Sequence, residues 1–189
     1  CVRENEIVLK PVDLSSEQAA AVPLAALTAL QGLRDKGNIQ PGQKVLIQGA
    51  SGGVGTFAVQ IAKSFGAEVT GVCSTRNLDM VRSIGADHVI DYKKENFTRN
   101  GQRYDLILAA NGYHPISDYL RALSPDGTYV VAGGSMLQLL QAALRGRRNS
   151  KTGGQRTYVV SQAASQQDLL FMKELLESGK VVPVIDGCY

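Results

Sequence analysis

The chain has 189 residues, 44% of them hydrophobic and 20% charged, with a formal net charge of +3. That length suits one domain with a real core, and the composition is that of a globular protein, not a disordered or fibrous one. A charge this small does not argue for nucleic acid as a partner, and no apolar run reaches the ~18 residues of a membrane-spanning helix. The cysteines Cys1, Cys73 and Cys188 are far apart in the sequence and form no C-x-x-C pair. They imply neither a disulfide framework nor a zinc cluster, so a reducing compartment, the cytoplasm, is expected. The chain opens at Cys1 without Met or a charged-then-apolar leader. This reads as a piece of something longer, with no signal peptide.

In chain order, EIVLK at residues 6–10 alternates and predicts a short strand that stops at Pro11. Ser15 with Gln18 has the spacing of a capping box and opens a helix, which Pro23 is expected to break or kink. A second helical stretch then reaches about Leu33, and RDKGNIQPGQ is a polar turn region. From Lys44 onward strands and helices alternate. Predicted strands are 45–48, 68–73, 88–91, 106–109, 129–131, 157–160 and 181–185. Predicted helices are 55–65, 78–84, 116–123, 137–144 and 166–177. Most of the strands are apolar on both sides, as expected for strands covered on two faces. The pattern predicts an α/β fold: a doubly wound parallel sheet of Rossmann type, with helices on both faces. The basic run RGRRNSK at 145–151 reads first as a solvated loop and second as a phosphate or membrane-surface contact.

The strand KVLIQ runs into Ala50-Ser51-Gly52-Gly53-Val54-Gly55 and then the helical TFAVQIAKSFG. Gly52 and Gly55 match the second and third glycines of a dinucleotide fingerprint, and Ala50 stands for the first. In that context the backbone N–H groups from Gly52 through Val54 face a pyrophosphate, with Ser51 adding a hydroxyl. The turn is not a P-loop, because no Lys precedes Thr56.

About twenty residues further on, an NAD site carries an acid for the ribose hydroxyls. Here the strand ends in CSTRN, residues 73–77. Ser74 and Thr75 remove the negative charge and offer donors, and Arg76 supplies a guanidinium suited to phosphate. The expected cofactor is therefore NADPH. Tyr92 ends the next strand and borders the same pocket, with Lys93 and Lys94 adding positive potential.

The segments VLIQGASGGVGTFAVQIAKSFGAEVTGVCSTRN, SIGADHVIDY, PLAALTAL and LLESGKVVPVIDGCY resemble the medium-chain dehydrogenase/reductase superfamily, and within it the zinc-free quinone oxidoreductase branch. The resemblance implies that residues 1–12 are the tail of a GroES-like catalytic domain and that 13–189 are the NADPH-binding domain, without its return to the first. It implies hydride transfer to a small-molecule quinone or enone in the full-length protein. It also implies that Thr28 lies near the nicotinamide, that Asn111 with Gly112 borders the ribose side, and that Gly133 with Gly134 lies at the nicotinamide end. Leu24 occupies the position where zinc-dependent relatives place a cysteine ligand, so no zinc is expected. His88 and His114 are isolated in sequence. No catalytic residue is assigned in this half: none of the tyrosines has Lys four residues later. The apolar strand at 181–185 is a candidate edge for a homodimer. The alternatives are an enoyl-thioester reductase of the same superfamily and a nonenzymatic NADPH-binding or redox-sensing module. A methyltransferase-like domain is disfavoured, because it wants an acid where Ser74 to Arg76 stand.

Overall fold

The computed structural model describes residues 3–146 and 154–187. Cys1, Cys188 and most of the basic run, residues 147–151, lie outside them. Strands β1 (Lys44–Gln48), β2 (Glu68–Cys73), β3 (His88–Asp91), β4 (Tyr104–Ala109), β5 (Leu123–Val131) and β6 (Arg156–Val159) form one parallel sheet in the order β3-β2-β1-β4-β5-β6. The order reverses between β1 and β4. In a doubly wound sheet, that switch point is where a ligand crevice opens.

The side-chain period of a strand sorts the core onto two faces. On one face Val45, Ile47, Leu106, Leu108 and Val130 pack against helices α1 (Ser16–Leu30), α2 (Gly53–Ser64) and α6 (Gln166–Glu177). The short helix α3 (Leu78–Ser83) joins the same face through Val81. On the other face Leu46, Val72, Ile107, Ala109 and Tyr129 meet Ile116, Tyr119 and Ala122 of α4 (Ile116–Ala122) and Ala142 of α5 (Met136–Gly146). The doubly wound Rossmann sheet expected from the alternation is thus the observed fold.

Three local expectations are corrected. Pro23 does not break its helix: α1 runs through it, opened by the expected Ser15–Gln18 capping box, and continues as a π-helical turn over Gln31–Lys36. Pro23 itself is exposed, while Val22, Ala26, Leu27, Ala29 and Leu30 are buried. A lost helical bond of about 3 kcal/mol is offset by this buried stripe, since each fully buried Leu or Val contributes roughly 1.5–3 kcal/mol. The segment 6–10 is not a strand. Ile7 and Leu9 stay exposed, no strand of the described sheet lies beside them, and Gln166 Nε2 donates to Ile7 O at 3.0 Å. The segment 181–185 is not a strand either. A side-chain amide takes the place of a neighbouring strand: Val182 N donates to Gln60 Oε1 at 2.8 Å, and Gln60 Nε2 donates to Val182 O at 2.9 Å.

A polar cluster ties α6 to the end of α1. Gln31 Nε2 donates to Asp168 Oδ2 at 2.8 Å and to Ala163 O at 2.9 Å, and Arg34 Nη2 donates to Asp168 Oδ1 at 2.7 Å. Asp168 and Gln31 are buried, so losing one partner strands a buried donor. We expect Asp168→Ala to lower stability by about 2–3 kcal/mol in urea titrations; a loss below about 0.5 kcal/mol would mean that α6 is held by its apolar face alone.

Candidate cofactor site

The site begins where β1 ends. The chain turns at Gly49, which has φ +80°, a backbone that side-chain-bearing residues rarely adopt. Its N–H and that of Ala50 both donate to Val72 O at 3.1 Å, and Gly52 N donates to Gly49 O at 3.0 Å. The tight turn is therefore made by Gly49, one residue before the Ala50 to which the fingerprint alignment assigned it. Ala50 is fully buried.

Gly55 allows the close approach expected of a third fingerprint glycine: a Cβ there would lie 2.0 Å from Gly49 O. Gly52 and Gly53 are bare for a different reason. A Cβ on Gly52 would meet only Gly49 O at 3.5 Å, and one on Gly53 only Ala25 Cβ at 3.9 Å. The protein's own packing does not demand glycine at either position, so the space before the helix is open. The N–H groups of Gly53, Val54 and Gly55, in the first turn of α2, have no acceptor among the described residues. Open space, free donors and the positive end of a helix together fit an anionic group such as a pyrophosphate. Ser51 is half-buried at the bend.

At the end of β2, Ser74 to Asn77 form a tight turn, with Thr75–Asn77 in 3₁₀ geometry. Ser74 Oγ accepts from Asn77 Nδ2 at 3.3 Å. Arg76 is exposed and has no ion-pair partner among the described residues. The Thr75 hydroxyl is committed within the protein: Oγ1 donates to Asp91 Oδ2 at 2.6 Å. Asp91 ends β3 and pairs in register with Cys73. It also accepts from Lys93 N at 3.0 Å and lies 3.9 Å from Lys94 Nζ. The Thr75 hydrogen bond, opposed by burial and helped by Lys93 N–H and the charges of Lys94 and Lys93, holds its carboxyl below the usual carboxylate range. Sequence reasoning missed this acid, which stands on the neighbouring strand and touches the turn through Thr75.

Tyr92 is half-exposed, its ring 6.1 Å from that of Tyr113. Asn111 is exposed and abuts the glycine turn; a Cβ on Gly49 would lie 3.2 Å from its Cβ. Gly133 N donates to Ala109 O at 3.1 Å, and Gly112 N donates to Gly133 O at 2.9 Å, so the β4 and β5 ladder continues into both loops. Thr28 is buried on α1, one turn after Ala25, the residue that faces Gly53; its hydroxyl donates to Leu24 O at 2.7 Å. The crevice thus gathers the glycine turn, Asn111 and Gly133 at the ends of β1, β4 and β5, with the Ser74–Arg76 turn and Tyr92 on its β2–β3 side.

Leu24 is exposed and carries no atom able to ligate a metal. His88 Nε2 pairs with Glu68 Oε1 at 3.1 Å, and His114 packs edge-on to Phe97. Among the described residues, no group of three or more His, Cys, Asp or Glu side chains is placed to hold a metal ion. The Cys73 thiol is buried, which, with the Asp91 charge, pushes its pKa up, the reverse of a reactive thiolate. Among the described residues no helix is long and apolar enough to cross a membrane.

The profile of a family described as "Zinc-binding dehydrogenase" matches residues 53–170. A chloroplast envelope quinone oxidoreductase homolog of Arabidopsis thaliana is 35% identical over 97% of this chain and 58% of that protein. A 2-methylene-furan-3-one reductase of Solanum lycopersicum is 37% identical over 98% of this chain and 43% of that protein. The chain therefore spans about half the length of these relatives. The CurK enoyl reductase structure superposes with a TM-score of 0.76 at 28% identity, covering 94% of this chain and 56% of its own. With the glycine turn and the sheet order, these matches lead to one conclusion: the chain belongs to the zinc-binding dehydrogenase family, in the quinone oxidoreductase branch of the medium-chain dehydrogenase/reductase superfamily.

Proposed function

We propose that this chain is the NADPH-binding domain of a zinc-independent oxidoreductase that delivers hydride to a quinone or an activated alkene. Family membership implies a nicotinamide cofactor. The choice of NADPH over NADH rests on one observation: at the end of β2, where an acid would receive a ribose hydroxyl, stands the exposed cation Arg76, without an ion-pair partner among the described residues.

In this reading the N–H groups of Gly53, Val54 and Gly55 hold the pyrophosphate, with Ser51 and Gly52 at the approach. Ser74, Arg76 and Tyr92 receive the 2′-phosphate. Thr75 acts at one remove, keeping the turn in place through its bond to Asp91. Asn111 and Gly133 border the nicotinamide ribose, and Thr28 lies on the nicotinamide side. The nicotinamide, when bound, supplies the hydride. The chain's own residues bind, orient and exclude water, and none of them is assigned as an acid or base.

The substrate cleft in this reading needs a second domain, of which residues 1–12 are the tail and to which 13–189 present the cofactor. The names of the relatives support a quinone or an enone as substrate. Likeness to an enoyl reductase keeps an enoyl thioester as the second substrate class. A homodimer would pair through β3 or β6, the two edges of the described sheet, and not through residues 181–185. The cytoplasm remains the proposed location; Cys73 is a free thiol.

Titrating the chain with both nicotinamide cofactors tests the reading. We expect Arg76→Ala to weaken NADPH about ten- to a hundredfold, the worth of one charge-assisted hydrogen bond, and to leave NADH unchanged. Equal loss for both would remove Arg76 from the 2′-phosphate. Thr75→Val tests the Asp91 link. Because the Asp91 pKa is lowered in the folded chain, its contribution is present above the ordinary carboxylate value of about 3.9 and is lost as the pH falls through the lowered one. We expect Thr75→Val to move the Asp91 titration upward in carbonyl-carbon NMR. An unmoved titration would mean that the hydroxyl is not what holds the carboxylate.

A further inference from the structure

Beyond the last hydrogen-bonded pairs of β4 and β5, the two loops are still joined by a parallel bridge between Gly112 and Gly134. Wedged against both glycines is the side chain of Gln138, from the first turn of α5, which is 5% exposed. A Cβ on Gly112 would lie 2.6 Å from Gln138 Oε1, and one on Gly134 would lie 2.5 Å from the same atom. Both loops are bare at these points because the amide occupies the space. Gln138 Nε2 donates to His114 O at 2.9 Å and, more weakly, to Tyr129 Oη at 3.4 Å. A carbonyl acceptor demands a donor, so the orientation of the amide is fixed by its setting.

The same loop is tethered from its other side. The N–H groups of Tyr113 and His114 donate to Tyr119 Oη at 3.2 and 3.4 Å. Tyr119 in turn donates to Gln48 Oε1, at the end of β1, and stacks on Tyr129 with ring centroids 4.5 Å apart. The Tyr119 tether joins the loop to the sheet beside the glycine turn. The Gln138 tether joins it to Tyr129 of β5 and to α5, and the amide packs against Gly134 of the β5 loop. Gln138, itself buried, therefore braces two loops that the backbone bond from Gly112 N to Gly133 O already joins.

We propose that Gln138 is a positioning residue for the nicotinamide half of the cofactor, fixing the conformation of the 110–114 loop where it packs on the 132–134 loop. The inference rests on the NADPH reading above. It assigns the two halves of the ligand to different supports. The adenosine half depends on the Ser74–Arg76 turn and Tyr92, and the nicotinamide half on the loops that Gln138 joins.

Two ligands separate these supports: NADPH, and 2′,5′-ADP, which carries the 2′-phosphate, adenosine and one 5′-phosphate without the nicotinamide mononucleotide half. Gln138→Met keeps the volume and removes both donated hydrogen bonds, whereas Gln138→Ala also opens a void; each is titrated with both ligands beside the unaltered chain. The unaltered chain is expected to bind NADPH more tightly than 2′,5′-ADP. Either variant that folds is expected to lose about tenfold in NADPH affinity, as for one or two buried hydrogen bonds, while 2′,5′-ADP stays within about twofold. Equal weakening of both ligands would mark Gln138 as merely structural and overturn the proposal, as would no weakening of either. Failure of the unaltered chain to bind either ligand would overturn the NADPH reading itself, and this inference with it.

Discussion

The first turn of α2 rests on the carbonyl of Gly49, so close that a Cβ on Gly55 would come within 2.0 Å of that oxygen. Backbone against backbone leaves little freedom, and the direction of α2 follows from it. The helix starts just past the end of β1, and the N–H groups of its first turn have no acceptor among the described residues. Gly49 and Ala50 are tied to Val72 O, so the same contact fixes the end of β2 and the start of the Ser74–Asn77 turn. Helix α1 packs across α2 and brings Ala25 against Gly53, with Thr28 one turn later. A side chain at position 55 would undo each of these placements at once.

The two sides of the crevice are built from different chemistry. The β2–β3 side is ionic: a buried carboxylate at Asp91 takes the Thr75 hydroxyl, lysines stand beside it, and Arg76 has no ion-pair partner among the described residues. Its behaviour depends on charge and so on salt and pH. The β4–β5 side is neutral, made of amides and phenols within aromatic packing. Burial pushes the pKa values of Tyr119 and Tyr129 up and that of His114 down, so near neutral pH all three are uncharged. Such a network, in which the buried Gln48 Nε2 has no partner among the described residues, fixes loop positions without adding charge beside the crevice.

The sheet and its helices were legible because strand and helix periods alternate cleanly from Lys44 onward, with short apolar strands covered on both faces. The glycine turn was legible because it lies between a strand and a helix. What the sequence did not disclose depends on distant partners. Pro23 stays in its helix because the stripe from Val22 to Leu30 is buried. Residues 181–185 have strand composition, but the Gln60 amide takes the place of a neighbouring strand. Gly49 was passed over because the fingerprint register began one residue later. Asp91 and Gln138 left no local signal: one acts through Thr75 and the other through His114, residues remote in sequence and adjacent only in the fold.

The most direct test of the account is an amide NMR titration of the chain with NADP⁺. The account predicts that the N–H signals of Gly53, Val54 and Gly55 move together as their donors acquire phosphate oxygens, and that the Arg76 side-chain signal moves over the same concentration range. Saturating NADP⁺ that leaves the glycine-turn amides unmoved, or shifts only residues away from the ends of β1 and β2, would contradict it.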